Sequence, residues 1–328
     1  MLSKVPGKPG ADALACATFG VVSLWVNALA VPIVVTQVGT WLLVVVVALQ
    51  LFGVAVGAAV GFDACCGVAA VGCILMGTNF VTSGAVVFSI GYGALYRRYL
   101  CSVWAPVRAA QYEFFGQIIV SIAAVPVLFT QESYTAIFIG TAFLLVIVAL
   151  TAVTEMRPPE TMGGGTRVVS AYGLVCAGIG AFSLGGVLLI AQDGAGRYSS
   201  HQSVAIAVAS SLLGAFASAV GSGITRIEPV ELFKGGALLA AFVGALSLVI
   251  HGVVGYCLMS AAFGSSAALV IINSRAVCFN ASSLGYIVLQ KVADLAPPLA
   301  LYAGLSFRQL LLTTPGVLSL ALLVLPWH

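Results

Sequence analysis

The sequence predicts a polytopic, all-α bundle of membrane-spanning helices, and three observations support that fold class. Only 7% of the 328 residues are Asp, Glu, Lys or Arg, against about a quarter in an ordinary soluble domain. Between Asp12 and Leu325 those charges fall in narrow bands, separated by apolar stretches long enough to cross a bilayer. With 61% apolar residues and a mean hydropathy of +1.14, the chain has too little polar surface to cover itself in water. In hydrocarbon every backbone N–H and C=O must be satisfied within its own segment, so such stretches read as helices. At roughly 20 residues per crossing, the length accommodates about eleven helices and no extramembrane domain.

The apolar segments run near 12–36, 39–61, 64–80, 82–96, 113–131, 134–154, 168–192, 202–224, 235–258, 260–290 and 295–326. The first follows a short basic end carrying Lys4 and Lys8, and Trp25, Asn27 and Pro32 interrupt it with no clean cleavage site after it. It reads as a retained membrane helix rather than a signal peptide. The stretch from Ala64 to Tyr96 is too long for one crossing, and Gly77, Asn79 and Thr82 mark a turn that divides it. With that division, Arg97, Arg98 and Arg108, then Arg157 and Arg167, then Arg226 and Lys234 all fall on the side of the amino terminus. Because cytoplasmic connections are enriched in Lys and Arg, the amino terminus is expected to be cytoplasmic. Pro158-Pro159 and Gly163–Gly165 then form the clearest break in the chain, since proline stops a helix and a run of glycines gives a flexible connection. The expected organisation is a first bundle of about six helices over 1–153, a cytoplasmic linker over 154–168, and a second of about five over 169–328. Arg275, Lys291, Asp294 and Arg308 interrupt the last third, leaving ten or twelve crossings open. In each half an overlong apolar block is followed by a basic step, a pattern that paired repeats in transporters share.

Composition excludes several functions. A net charge of +3, dispersed along the chain, offers no nucleic-acid surface. The eight cysteines lack CxxC or zinc-type spacing, so no metal or cofactor is expected, and they read as small buried hydrophobes. Cys101, beside the basic step, is the best candidate for acylation. No phosphate-cradling loop, HExxH, Gly-x-Ser-x-Gly, intramembrane aspartate pair, voltage-sensing Arg series or filter-like TVGYG is present. Neither ATP-driven transport nor hydrolytic chemistry is therefore expected, and no residue is assigned a catalytic role. The Asn280-Ala281-Ser282 sequon lies in apolar sequence and is expected to stay unmodified.

A few polar residues interrupt the hydrophobic text. Gly53, Gly57 and Gly61, four apart, read as one face of the second helix, a pattern that lets another helix approach closely. Asn27 and Gln50 are amides within helices one and two, able to line a polar path or to cross-link helices. His251 is the one histidine deep in an apolar run, where an ionisable side chain is costly and often lines a cavity. Lys291 and Asp294, three apart, would share a helix face and neutralise one another. Pro297-Pro298 would then break that helix, as in discontinuous transporter segments. A short surface loop carrying both charges is the alternative. Glu113 reads as the opening of the fifth helix, where a carboxylate complements the helix dipole.

Six helices, a cytoplasmic break and about five more resemble the layout of the equilibrative nucleoside transporters. The charged pair that family carries in its eighth helix has no counterpart, since Ala205 to Ile224 is uncharged. The short basic end before a Trp-containing first helix (Phe19 to Asn27) and the Tyr112-Glu113-Phe114-Phe115 segment resemble the multi-spanning envelope membrane proteins of herpesviruses. Those proteins in turn look like degenerate relatives of the nucleoside transporters. The resemblance implies a non-enzymatic component of a virion envelope or host membrane, in contact with the lipid bilayer and with other membrane proteins. The alternative is a working secondary transporter of a small solute, nucleoside-like or other. A membrane-embedded enzyme of lipid metabolism fits less well, because no acidic or histidine cluster sits at a membrane face.

Overall fold

The computed structural model describes residues 9–23, 30, 33–35, 38–78, 80–102, 106–131, 134–151, 172–178, 199–224, 227–246 and 283–324, with scattered positions between 249 and 269. Every regular element among the described residues is helical. The helices are α1 (Pro9–Val21), α2 (Thr40–Val56), α3 (Phe62–Met76), α4 (Val81–Ser102), α5 (Pro106–Gln131), α6 (Thr135–Thr151), α7 (Ser200–Ile224), α8 (Pro229–Leu246), α9 (Ser283–Tyr302) and α10 (Phe307–Val324). Residues 172–178 and the described positions 252–269 are helical as well.

The outer surface is that of a protein turned toward lipid. On α5, Phe115, Ile119, Ile122 and Phe129 are exposed, and on α6 Ile139, Phe143, Val146 and Leu150. Their spacing of three, four or seven residues puts each set along one side of its helix. Ile122 is 73% and Leu150 82% exposed, positions that a soluble protein fills with charge. Ala109–Thr130 and His201–Ser218 are long and apolar enough to span a membrane by themselves, while Thr40–Val56, Phe62–Met76 and Thr135–Thr151 are apolar but shorter.

Small residues face inward. Helix α4 packs against both α2 and α3, α3 also against α6, and α1 against α5 and α6. Among the described residues three contacts join early helices to late ones: α2 and α4 each against α9, and α5 against α7, the last through an edge-to-face pair of Phe115 and Phe216 with centroids 6.2 Å apart. Among the later helices α8 and α9 each pack against α10. With lipid tails as apolar as the side chains, this close packing replaces the hydrophobic effect as the force between helices.

Helix boundaries follow local chemistry, with several differences from the sequence reading. The division near Gly77 is present: α3 ends at Met76 and α4 starts at Val81. Helix α4 runs on to Ser102, so Arg97 and Arg98 are helical instead of forming a loop. Their guanidinium groups reach back to the end of α2, Arg97 Nη1 donating to the Val54 carbonyl and Arg98 Nη2 to that of Ala58, both at 3.0 Å. Those carbonyls belong to a helix end that has run out of intrahelical donors. Helix α2 stops at Val56, so Gly57 caps it and Gly61 already caps α3. The three glycines therefore do not share one helix. Pro297 and Pro298 lie inside α9 without ending it, because neighbouring helices in a membrane can hold a helix that proline weakens. The break falls instead at Gly304, whose φ of +99° suits a residue without Cβ, and it divides the 295–326 segment into α9 and α10. The 154–168 linker and Asn280 lie outside the described residues.

Candidate functional site

Several polar groups of the interior converge where α9 meets α2 and α4. Lys291 is buried, its side chain 5% exposed. Its Nζ donates to Asp294 Oδ2 at 3.1 Å and, across the helix interface, to Gln50 Oε1 at 3.0 Å. The same ammonium lies 4.8 Å from the ring centroid of Tyr92 and 4.7 Å from that of Tyr96, within cation–π range. A lysine at the centre of a membrane helix costs about 2.5–3.5 kcal/mol on insertion scales. Here a carboxylate, an amide oxygen and two aromatic faces offset that cost.

Residues Phe88, Tyr92, Tyr96 and Tyr99 follow one another at intervals of four, four and three along α4 and are all buried, which makes them a single face of the helix. Tyr96 donates its hydroxyl to Gln290 Oε1. The same oxygen accepts from the Tyr172 hydroxyl at 3.1 Å, and the Tyr172 ring stacks on Tyr286 with centroids 4.5 Å apart. Gln290 thus draws together α4, α9 and the helical segment 172–178. Further along, Phe19 of α1 stacks on Tyr99 at 4.1 Å, and the Tyr99 hydroxyl donates to Glu113 Oε1 at 2.7 Å. Gln117 Nε2 donates to the Gly20 carbonyl at 3.1 Å. An unbroken series of rings therefore runs from Lys291 to Glu113.

The faces of α9 show what can reach this cluster. Leu284, Val288, Val292 and Leu299 are its exposed apolar stripe. At about 100° per residue, Asp294 lies roughly 125° and Gln290 roughly 165° around the axis from the centre of that stripe. Both are nonetheless half-buried rather than sealed, with the Asp294 side chain 30% exposed. Both therefore lie on the side of α9 turned away from its exposed apolar stripe.

The residues singled out from the sequence separate into groups. Gln50, Lys291 and Asp294 meet in this cluster, on helices and not on a surface loop. Gly53 and Gly57 sit one and two turns along α2 from Gln50, against α4. A Cβ on Gly53 would lie 3.0 Å from the Ala94 nitrogen, and one on Gly57 2.9 Å from the Ala94 Cα. Gly61 faces only the Asp63 side chain. Asn27 and His251 lie outside the described residues. Glu113 does not open its helix, since α5 starts at Pro106. It lies two turns in and is buried, so its partner is Tyr99 and not the helix end. Among the described residues no group of His, Cys, Asp or Glu could hold a metal ion.

The sequence reading passed over Tyr92, Tyr96, Tyr172 and Gln290. The signal for the first two was there: tyrosines at i and i+4 within an apolar helix, between Phe88 and Tyr99, on a face where an apolar residue would suffice. Gln290 stands next to Lys291. Tyr172 carries no such mark, because only tertiary structure brings it to Gln290.

By structure, the chain is similar to a Major Facilitator Superfamily transporter, FucP, in its outward conformation, with TM-score 0.64 and 13% identity over 95% of this chain and 97% of that one. It is also similar to a variant of the E. coli fucose:proton symporter FucP, with TM-score 0.58 and 13% identity over the same shares. The fold is thus an all-helical, transporter-like bundle. No protein-family model matches the chain, and no curated protein matches it by sequence. The likeness favours the transporter-like architecture over the envelope-component reading, to which it adds nothing.

Proposed function

We propose that the protein is a secondary transporter of a small polar solute. In this reading two bundles, 1–153 and 169–328, alternate in access across the membrane, joined by a cytoplasmic 154–168 linker and with a cytoplasmic amino terminus. The observation that carries the reading is the cluster of Lys291, Asp294, Gln50, Gln290, Tyr92 and Tyr96 in the bundle interior. Transporters place their sites near mid-membrane, where paired halves meet, and intramembrane charge that faces the interior marks a solute or ion path. In this division α2 and α4 belong to the first bundle and α9 to the second, so the cluster would draw on both. His251, on the sequence reading, would add a further ionisable group to the path. The surroundings are the lipid bilayer and other membrane proteins, and no covalent chemistry is assigned.

Uptake of labelled nucleosides, sugars, polyols and amino acids into liposomes containing the purified protein tests this. Accumulation above protein-free liposomes is expected for at least one class, with loss in Lys291→Met and Gln50→Ala while both variants retain a cooperative thermal transition. A folded wild-type protein that moves none of these solutes would instead support a viral or host-membrane component acting by contact alone.

A further inference from the structure

We infer that the solute is uncharged and rich in hydroxyl groups, held between the Gln290 amide and the Asp294 carboxylate. The inference rests on the transporter reading and deepens it. Two features of the cluster select this class.

The first is charge balance. Lys291 and Asp294 form a salt bridge at 3.1 Å, so the cluster around them carries no net charge as it stands. Cations and anions entering a poorly hydrated interior each bring a charge that the protein must then compensate, at several kcal/mol per unpaired ion. An ammonium would have to compete with Lys291 for Asp294, and a carboxylate with Asp294 for Lys291. Either exchange leaves one buried charge without its partner. A neutral solute leaves the pair intact.

The second is the pattern of unused hydrogen-bonding groups. Gln290 Oε1 accepts from both Tyr96 and Tyr172, and among the described residues no acceptor takes its amide N–H groups. Lys291 engages Asp294 through Oδ2, and among the described residues no donor reaches Oδ1. Gln290 and Asp294 stand four apart on α9, which makes them neighbours on one helix face, with Cβ atoms about 5–6 Å apart. Both are partly exposed and lie on the side of α9 away from its exposed apolar stripe. A donor and an acceptor at that separation suit a solute with adjacent hydroxyls, since each hydroxyl both donates and accepts. A solute offering only acceptors would leave the Asp294 oxygen unmatched, and one offering only donors the Gln290 amide. Unmatched buried groups are what make such sites selective.

The experiment uses the full-length protein in liposomes and probes that differ only in charge: neutral hexoses and hexitols, the matching uronic acids, and the matching amino sugars in protonated form. The wild type is expected to take up at least one neutral probe roughly ten-fold or more faster than its charged counterparts. Asp294→Asn gives the site a positive charge and should shift preference toward the uronic acid. Lys291→Gln leaves a negative charge and should shift it toward the amino sugar. Should Lys291→Gln fail to fold, Asp294→Asn alone carries the test. Wild-type preference for a charged probe, or wild-type selectivity retained in a folded charge variant, overturns the inference while leaving a working transporter. Absence of uptake for every probe, together with nucleosides and amino acids, fails the transporter reading itself and the inference with it.

Discussion

Replacing Gly53 by alanine adds one methyl group, yet it should destabilise this protein more than most substitutions of that size. A Cβ built on Gly53 lies 3.0 Å from the Ala94 nitrogen, 3.1 Å from the Gly93 Cα, and closer still to the Ile90 carbonyl oxygen. All three are backbone atoms of α4, so no side-chain rotation can clear the space. Restoring the ~3.5 Å that carbon contacts require means separating the two helix backbones by roughly 1 Å. The cost falls at the upper end of the about 1–3 kcal/mol typical of overpacking, because dispersion contacts along the whole α2–α4 seam weaken together. Gly140, on α6, is the control, since a Cβ there meets nothing within 4 Å. Thermal unfolding in detergent, followed by far-UV circular dichroism and by loss of monodisperse protein, should place Gly53→Ala several degrees below wild type. Gly140→Ala should match wild type. Equal melting temperatures for the two variants would refute close backbone contact at Gly53.

Two other parts of the structure yield outcomes of their own. Tyr99→Phe and Glu113→Leu, singly and together, should show a coupling of about 1 kcal/mol in detergent unfolding, the range for a hydrogen bond; additive effects would show that the pair contributes no shared interaction. For topology, single cysteines in a Cys-less background should be labelled from outside intact cells at Ser133→Cys and shielded at Met162→Cys, and the reverse pattern would invert the orientation read from the Lys/Arg distribution.

The fold class could be read from the sequence because burying backbone in lipid leaves a coarse signature: long apolar runs separated by bands of charge. The turn near Gly77 was visible for the same reason, as polar residues interrupt a run too long for one crossing. Helix ends were less visible where tertiary contacts override local preference. Arg97 and Arg98 look like a loop until the open carbonyls of α2 are there to receive them. Pro297 and Pro298 look like a stop, but α9 continues through them. Of the candidate site, Lys291, Asp294 and Gln50 stood out because each is rare in such a composition. Their aromatic and amide neighbours did not, since a tyrosine in a membrane helix has no meaning until its hydroxyl has a partner. Tyr172 and Gln290 are 118 positions apart, and nothing short of the fold connects them.

The glycine contacts of α4 also bear on how the molecule can move. Gly53 and Gly93 press α2 and α4 together on one side, and Gly72, Gly84 and Gly91 lock α3 and α4 on the other, each with no room for a Cβ. Surfaces matched at backbone distance cannot slide without colliding, so these three helices must travel as one stiff block. Gln50, Tyr92 and Tyr96 ride on that block, whereas Lys291 rides on α9. Any motion of this block relative to α9 would have to break the contacts of α9 with α2 and α4, which the Lys291–Gln50 and Tyr96–Gln290 hydrogen bonds span. The ammonium of Lys291 is then a detachable coupling: one amide oxygen and two ring faces must let go of it, while its own Asp294 goes with it.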